Sequence, residues 1–166
     1  MKGVIKKSAP APGKTLAIFG GVHGNERVGV DAVRWAAEHI EPEHGTVYFV
    51  EANPEAIEKG VRLIGKNLNR CFLPGNDGNA PEDVRARELM ALLDECDALL
   101  DIHSSNSREA TPFIICEEDG LAIAETLDFP IVSTGWDALE PGGPTVRCST
   151  GARLGYVSNA GLSSML

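Results

Sequence analysis

Apolar residues recur along the chain with two alternating periods. The run from Thr15 to Phe19 is short, apolar and halted by Gly20-Gly21, the length and punctuation of a strand that ends in a turn. From Glu26 to Ile40 the period lengthens. Val30, Val33, Ala37 and Ile40 fall at three- and four-residue steps, with Arg27, Asp31, Arg34 and Glu38 elsewhere around the barrel, which predicts a helix with one buried face, ended by Pro42 and Gly45. Thr46 to Val50 is β-branched and aromatic and predicts a second strand. Asn53-Pro54 opens a short helix toward Lys59, with the proline at a tolerated first-turn position. Gly60 to Ala80 has little periodicity and many Gly, Asn and Pro residues, so it reads as a long loop, a feature that is often functional in compact domains.

Pro81-Glu82-Asp83 starts a helix with acidic side chains set against the positive dipole end, and Val84, Leu89, Leu92, Leu93 and Cys96 supply its apolar side. Strands are predicted at Ala98 to His103, Phe113 to Cys116 and Ile131 to Thr134, with a helix over Gly120 to Leu127. Beyond Pro141 the glycines and prolines leave no element assigned. The alternation implies an α/β fold: a doubly wound, mostly parallel (mixed) sheet with helices on both faces.

With 166 residues, 43% of them hydrophobic and 23% charged, the chain is sized for one ordinary core, a single domain over residues 1–166. Its 15 Lys+Arg against 24 Asp+Glu give a net charge of −9, with no basic field to gather a polyanion, so a general nucleic-acid binder is excluded. The lysines of Met1 to Lys7 are followed by Ser8-Ala-Pro-Ala-Pro-Gly13, where a signal peptide would need its apolar stretch, and no run reaches membrane-spanning length. Cys71, Cys96, Cys116 and Cys148 are far apart with no CxxC pairing, which argues against a zinc ribbon or a disulfide framework and fits a reducing cytoplasm.

In a doubly wound sheet, ligands lie at the carboxyl ends of strands. Two histidines fall there. His23 follows the first strand and its glycine turn, with Glu26 three residues on where the helix begins, so that an imidazole nitrogen and a carboxylate oxygen can converge above the strand edge. His103 ends the strand from Ala98. One histidine after a strand is ordinarily a hydrogen-bonded turn residue, but two of them with Glu26 form a donor set suited to zinc. His39 and His44 read as solvated residues or as a favourable charge at a helix C-terminus. In the long loop, Arg62, Asn69 and Arg70 stand in one irregular segment of an acidic chain. Arginine forks grip carboxylates and Asn adds a directional donor, so beside a zinc site these residues suit an anionic substrate better than surface salt bridging.

Gly20-Gly21-Val22-His23-Gly24-Asn25-Glu26, Asn67-Leu68-Asn69-Arg70-Cys71-Phe72 and Asp101-Ile102-His103, in this order and at these separations, closely resemble the succinylglutamate desuccinylase/aspartoacylase family. The resemblance runs from Thr15 to about Val132. It implies a fold similar to the zinc carboxypeptidases and hydrolysis of the amide of a small anionic N-acyl amino acid with one zinc per chain. Residue by residue, it implies zinc ligands His23, Glu26 and His103, with Asn69 and Arg70 on the substrate carboxylate and Arg62 polarising the scissile carbonyl. Three protein ligands leave a fourth position for water, whose pKa zinc lowers to about 7 to supply the nucleophile. Asp101, two residues before His103 on the same side of a strand, suits either a hydrogen bond to that histidine or one to a nearby backbone amide.

Two positions depart from the family. Asn67 stands where many members have aspartate. The general-base glutamate, expected in a Glu-x-Gly setting at a strand end, is not found: Val157-Ser158-Asn159-Ala160-Gly161 has Asn159 where the carboxylate would fall, and asparagine cannot take a proton from water. Glu117, Glu118, Glu125 and Glu140 read as solvated loop or helix residues. The expectation is a deacylase catalytic domain truncated at its C-terminus, where relatives continue into a smaller β-rich domain. A carboxypeptidase-like metallopeptidase and a zinc-binding pseudoenzyme are the competing readings, and a homo-oligomer is compatible with each.

Overall fold

A computed structural model of the chain describes residues 1–104, 111–139, 142–144 and, as backbone, 152–158. Val4–Ser8 (β1), Thr15–Gly20 (β2), Thr46–Glu51 (β3), Ala98–Ser104 (β4), Phe113–Cys116 (β5), Val132–Ser133 (β6) and Ala152–Ser158 (β7) form one sheet in the order β1-β3-β2-β4-β7-β5-β6. The pairs β2/β3, β2/β4, β4/β7 and β5/β6 are parallel, and β1/β3 and β5/β7 are antiparallel. The helices are Arg27–His39 (α1), Pro54–Lys59 (α2), Pro81–Leu93 (α3), Leu121–Ala124 (α4) and Trp136–Leu139 (α5).

Strand alternation sorts the core into two layers, because successive side chains point to opposite faces. Ala17, Phe19, Tyr48, Val50 and Leu99 pack with Ala86, Leu89, Met90 and Leu93 of α3. Ile18, Val47 and Phe49, the intervening residues, pack with Val33, Ala36 and Ala37 of α1 on the other face. Phe19, Phe49, Leu89 and Leu93 are fully buried, and each stabilises the fold by roughly 1.5–3 kcal/mol before ordering costs. The mixed sheet covered on both faces is the predicted architecture.

Several elements differ from the sequence reading. Val4–Ser8 is an edge strand although it lacks a strand-like apolar run. Its hydrogen bonds to β3 decide the matter, and Lys6 and Lys7 discourage further pairing along that edge. Ile40 is the C-cap of α1 and 40% exposed, so it is not part of the buried stripe. Val84 is 43% exposed, whereas Glu82, Asp83 and Arg85 of the same helix are buried. The segment from Gly120 to Leu127 breaks into α4 with a 3-10 turn on either side, and β6 is limited to Val132–Ser133. β7, in the unassigned stretch, inserts between β4 and β5. Among the described residues no helix is long and apolar enough to cross a membrane.

The two central strands end level. Phe19 pairs with Asp101 and Gly20 with Ile102, so residues just beyond β2 and at the end of β4 emerge on one sheet edge. Helix α1 reaches that edge through glycines: a Cβ on Gly20 would sit 2.1 Å from the Gly29 carbonyl oxygen, and one on Gly29 would sit 2.4 Å from that of Ile102. Only paired glycines let the first turn of α1 lie this close to both strands.

Candidate metal centre

His23 leaves β2 through a turn in which Gly21 adopts a φ of +73°, open to glycine and strained for other residues. Glu26 is the N-cap of α1, yet its side chain makes no capping bond; the carboxylate turns to the sheet edge instead. There Glu26 Oε1 lies 2.7 Å from His23 Nδ1, and Oε2 lies 3.0 Å from His103 Nδ1 and accepts the Ser104 amide at 2.9 Å. His23 and Glu26 are buried and His103 is partly buried. One ligand atom from each of the three residues lies within 4.8 Å of the others.

The outer nitrogens fix the tautomers. Asn67 Oδ1 accepts the Asn69 amide at 3.0 Å, so this atom is the oxygen, and it faces His23 Nε2 at 3.0 Å. His23 Nε2 therefore carries the hydrogen. His103 Nε2 likewise donates to Asp101 Oδ2, an acceptor, at 2.8 Å. Of the two roles open to Asp101 in the sequence, the histidine bond is present, while its buried Oδ1 has no partner among the described residues. Both imidazoles thus direct Nδ1, a lone pair in the neutral ring, at one carboxylate. Such an arrangement needs positive charge between the three groups, supplied by protons or by a metal. Two imidazoles, each steadied through its other nitrogen, plus one carboxylate are a donor set that fits zinc.

The electrostatics agree. Burial pushes the Glu26 carboxyl up, but the bonds from His103 and His23 outweigh it and hold the group well below the usual carboxylate range. Burial pushes His103 down, and the Asp101 and Glu26 carboxylates overcome this to hold it above the ordinary histidine value. Both shifts favour positive charge between the three groups, in keeping with the geometry.

The long loop closes over this cluster. Arg62 accepts the Gly24 amide through its carbonyl at 3.2 Å and donates from Nη1 to Glu26 Oε1 at 3.1 Å, with its side chain about half exposed. Asn69 and Arg70 sit on a 3-10 turn, Leu68–Arg70, capped by the Asn67 side chain. They are tied to the cluster through Asn67, and Arg70 Nη1 donates to the Asn69 carbonyl at 2.7 Å. A cavity of about 510 Å³ opens beside this turn, lined by Lys66, Asn67, Arg70, Leu73 and Asn76 among others.

The acids weighed as substitutes for a base are elsewhere. Cys116 pairs with Leu154, which pairs with Leu100, so Glu117 and Glu118 follow β5 at the opposite end of the sheet from His103. Glu117 Oε2 accepts the Gly135 amide at 3.3 Å, and Glu125 is exposed in a 3-10 turn. Asn159 and Glu140 lie outside the described residues. Asn67, as the outer partner of His23, had no role in the sequence reading; its place immediately before Leu-Asn-Arg was the available signal.

A family model described as the succinylglutamate desuccinylase/aspartoacylase catalytic domain matches residues 12–134. A probable aspartoacylase of Nostoc sp. is 31% identical over 88% of this chain and 54% of its own length. The aspartoacylase of Danio rerio is 36% identical over 61% of this chain and 37% of its own length. Among solved structures, a succinylglutamate desuccinylase/aspartoacylase from Rhodobacter sphaeroides superposes with a TM-score of 0.77 at 26% identity, covering 93% of this chain and 50% of that one. The chain spans about half the length of the Nostoc and Rhodobacter proteins. With the match to the family model covering most of its length, and the fold shared, the chain belongs to the succinylglutamate desuccinylase/aspartoacylase family.

Proposed function

We propose that the chain carries the zinc-binding part of a hydrolase that cleaves the amide of a small anionic N-acyl amino acid. The observation that carries the reading is the convergence of two Nδ1 atoms on the Glu26 carboxylate, with both Nε2–H groups anchored outside. Zinc bound there supplies Lewis acidity and lowers the pKa of water to about 7, which makes hydroxide available at neutral pH. His23, Glu26 and His103 hold the ion. Asn67 and Asp101 keep the two rings in the tautomer that presents Nδ1. Arg62, at the rim beside Glu26, sets a guanidinium where negative charge develops on the scissile oxygen. Asn69 and Arg70 bind the amino-acid carboxylate and fix the amide over the cluster. The four cysteines, far apart in sequence and without CxxC pairing, support a reducing cytoplasm as the setting.

Asp101, the further carboxylate at the cluster, is committed to the outer nitrogen of His103, and Glu117 and Glu118 stand at the other end of the sheet, which favours a second reading, a zinc-binding protein without turnover. The test is hydrolysis of N-acetyl-aspartate and N-succinyl-glutamate, with short peptides alongside, with and without zinc. Zinc-dependent release of the amino acid supports the proposal. Cleavage of peptides alone would move the assignment to a carboxypeptidase-like activity, and stoichiometric zinc with no turnover would establish the second reading.

A further inference from the structure

Glu82 is 0% exposed, although it stands in the first turn of α3, where an acid can satisfy the helix dipole from the surface. Burying a carboxylate is costly unless it is fully hydrogen-bonded. The partners that compensate come from the loop. Glu82 Oε1 accepts the Ile64 amide at 2.6 Å and the Gly65 amide at 3.3 Å, and Oε2 accepts the Gly65 and Lys66 amides at 3.1 and 3.0 Å. Burial pushes its carboxyl up, but these three amides prevail and hold it below the ordinary glutamate value.

The gripped residues have no other recorded backbone donor bonds: none of the three amides donates to a main-chain carbonyl among the described residues. No helix or sheet fixes this stretch. Its neighbours are the residues that touch the metal cluster. Arg62, two positions before Ile64, reaches Glu26 Oε1, and Asn67, directly after Lys66, reaches His23 Nε2. Asn67 also caps the turn that carries Asn69 and Arg70. The next residue, Asp83, reinforces the clamp through Lys66 Nζ at 2.8 Å, but that bond holds a half-exposed side chain and leaves the loop backbone free.

We infer that Glu82 is a positioning residue of the site: by binding the amides of Ile64, Gly65 and Lys66 it sets where Arg62 and Asn67 meet the metal cluster. The inference rests on the proposed zinc-hydrolase reading. Glu82 touches neither metal nor substrate. Its loss lets the loop shift, so that His23 loses its outer anchor and Asn69 and Arg70 lose their placement. Glutamine has the same shape but turns an NH2 group toward donors that need an acceptor. Aspartate keeps the charge on an arm one methylene shorter.

The experiment compares wild type, Glu82→Gln, Glu82→Asp and the core variant Leu93→Ala, which lowers melting temperature from the far end of α3 and leaves the Glu82 carboxylate in place. Zinc affinity is read with zinc alone against a chromophoric chelator, KM with N-acetyl-aspartate, and amide exchange at residues 64–66 by NMR in the wild type. The expected result is about tenfold weaker zinc and about tenfold higher KM in Glu82→Gln, on the scale of losing an outer-shell partner. Glu82→Asp falls between it and wild type, and Leu93→Ala is unchanged in both readouts. Exchange at residues 64–66 is slowed at least about 100-fold in the wild type. Equal effects in Glu82→Gln and Leu93→Ala would reduce Glu82 to a stability role and overturn the inference. Unprotected amides at 64–66 would overturn it without any variant, including where Glu82→Gln does not fold. A wild type that binds no zinc and turns nothing over sinks the hydrolase reading instead, and the exchange rates still report the clamp.

Discussion

The metal cluster and the loop beside it are held by different means. His23, Glu26 and His103 stand at the ends of regular elements: a turn off β2, the N-cap of α1 and the last part of β4. Sheet register and the Gly20–Gly29 approach place them, so many bonds would have to break to move one ligand. Arg62, Asn69 and Arg70 ride on a stretch with little regular structure, whose middle, residues 64–66, is held by one buried carboxylate, Glu82. On the proposed reading, ion binding is thus built into the scaffold, whereas substrate recognition depends on a tethered loop. Loops of this kind open locally at lower free-energy cost than the strands they adjoin.

The largest test of that division is His103→Ala. Zinc affinity should fall by about 10²- to 10³-fold, since each ligand carries on the order of 2.5–4 kcal/mol if ~10–16 kcal/mol is shared among four. Circular dichroism should stay native, because β4 remains paired on both sides. Full zinc retention in both His103→Ala and His23→Ala would end the ligand assignment. Arg70→Ala should do the reverse: affinity for anionic N-acyl amino acids drops by about 1.5–3 kcal/mol, the scale of a hydrogen bond to a charged group, while zinc content measured by atomic absorption is unaltered. Metal loss in that variant would mean that loop and cluster are a single unit.

Asn67→Asp sharpens the boundary between them. A carboxylate facing His23 Nε2 would make that imidazole a stronger ligand, as Asp101 already does for His103, and zinc should bind about tenfold tighter in chelator competition. Unchanged or weaker binding would show that the amide at position 67 serves the turn through Asn69 rather than the metal.

The smallest effect is a pH dependence. The folded-state pKa of Glu82 is depressed below its ordinary 4.5, so its contribution is complete above that value and is lost as pH falls through the lower folded value. Urea titrations of wild type and Glu82→Gln should therefore differ most near neutrality and converge in the acid limb. A stability gap that stays constant from pH 7 to pH 3 would contradict the depressed carboxyl.

Much of the scaffold was legible because its periods are clean. The Val30, Val33, Ala37 stripe and the Thr46 to Val50 run predicted α1 and β3, and the glycine turn pointed to a site at a strand end. Ile40 and Val84 were misread because burial at a helix end depends on what lies opposite, which periodicity does not encode. The strand at Val4–Ser8 was missed because its edge pairing, rather than its own apolar pattern, makes it a strand. The candidate ligands were visible as residue types at suitable spacings, while Asn67 and Glu82 were not, since an amide and an acid in these settings ordinarily face water.

The sequence by itself determined the alternation of elements, the family resemblance, and which side chains are chemically able to hold a divalent ion or a carboxylate. Those properties reside in local pattern and side-chain chemistry. Only the tertiary structure decided that residues 23, 26 and 103 point their ligand atoms at one another, that Asn67 and Asp101 set the tautomers, and that Glu82 is buried under the loop. Each of these is a meeting of groups distant along the chain, fixed by strand register and by the demand that buried polar atoms find partners.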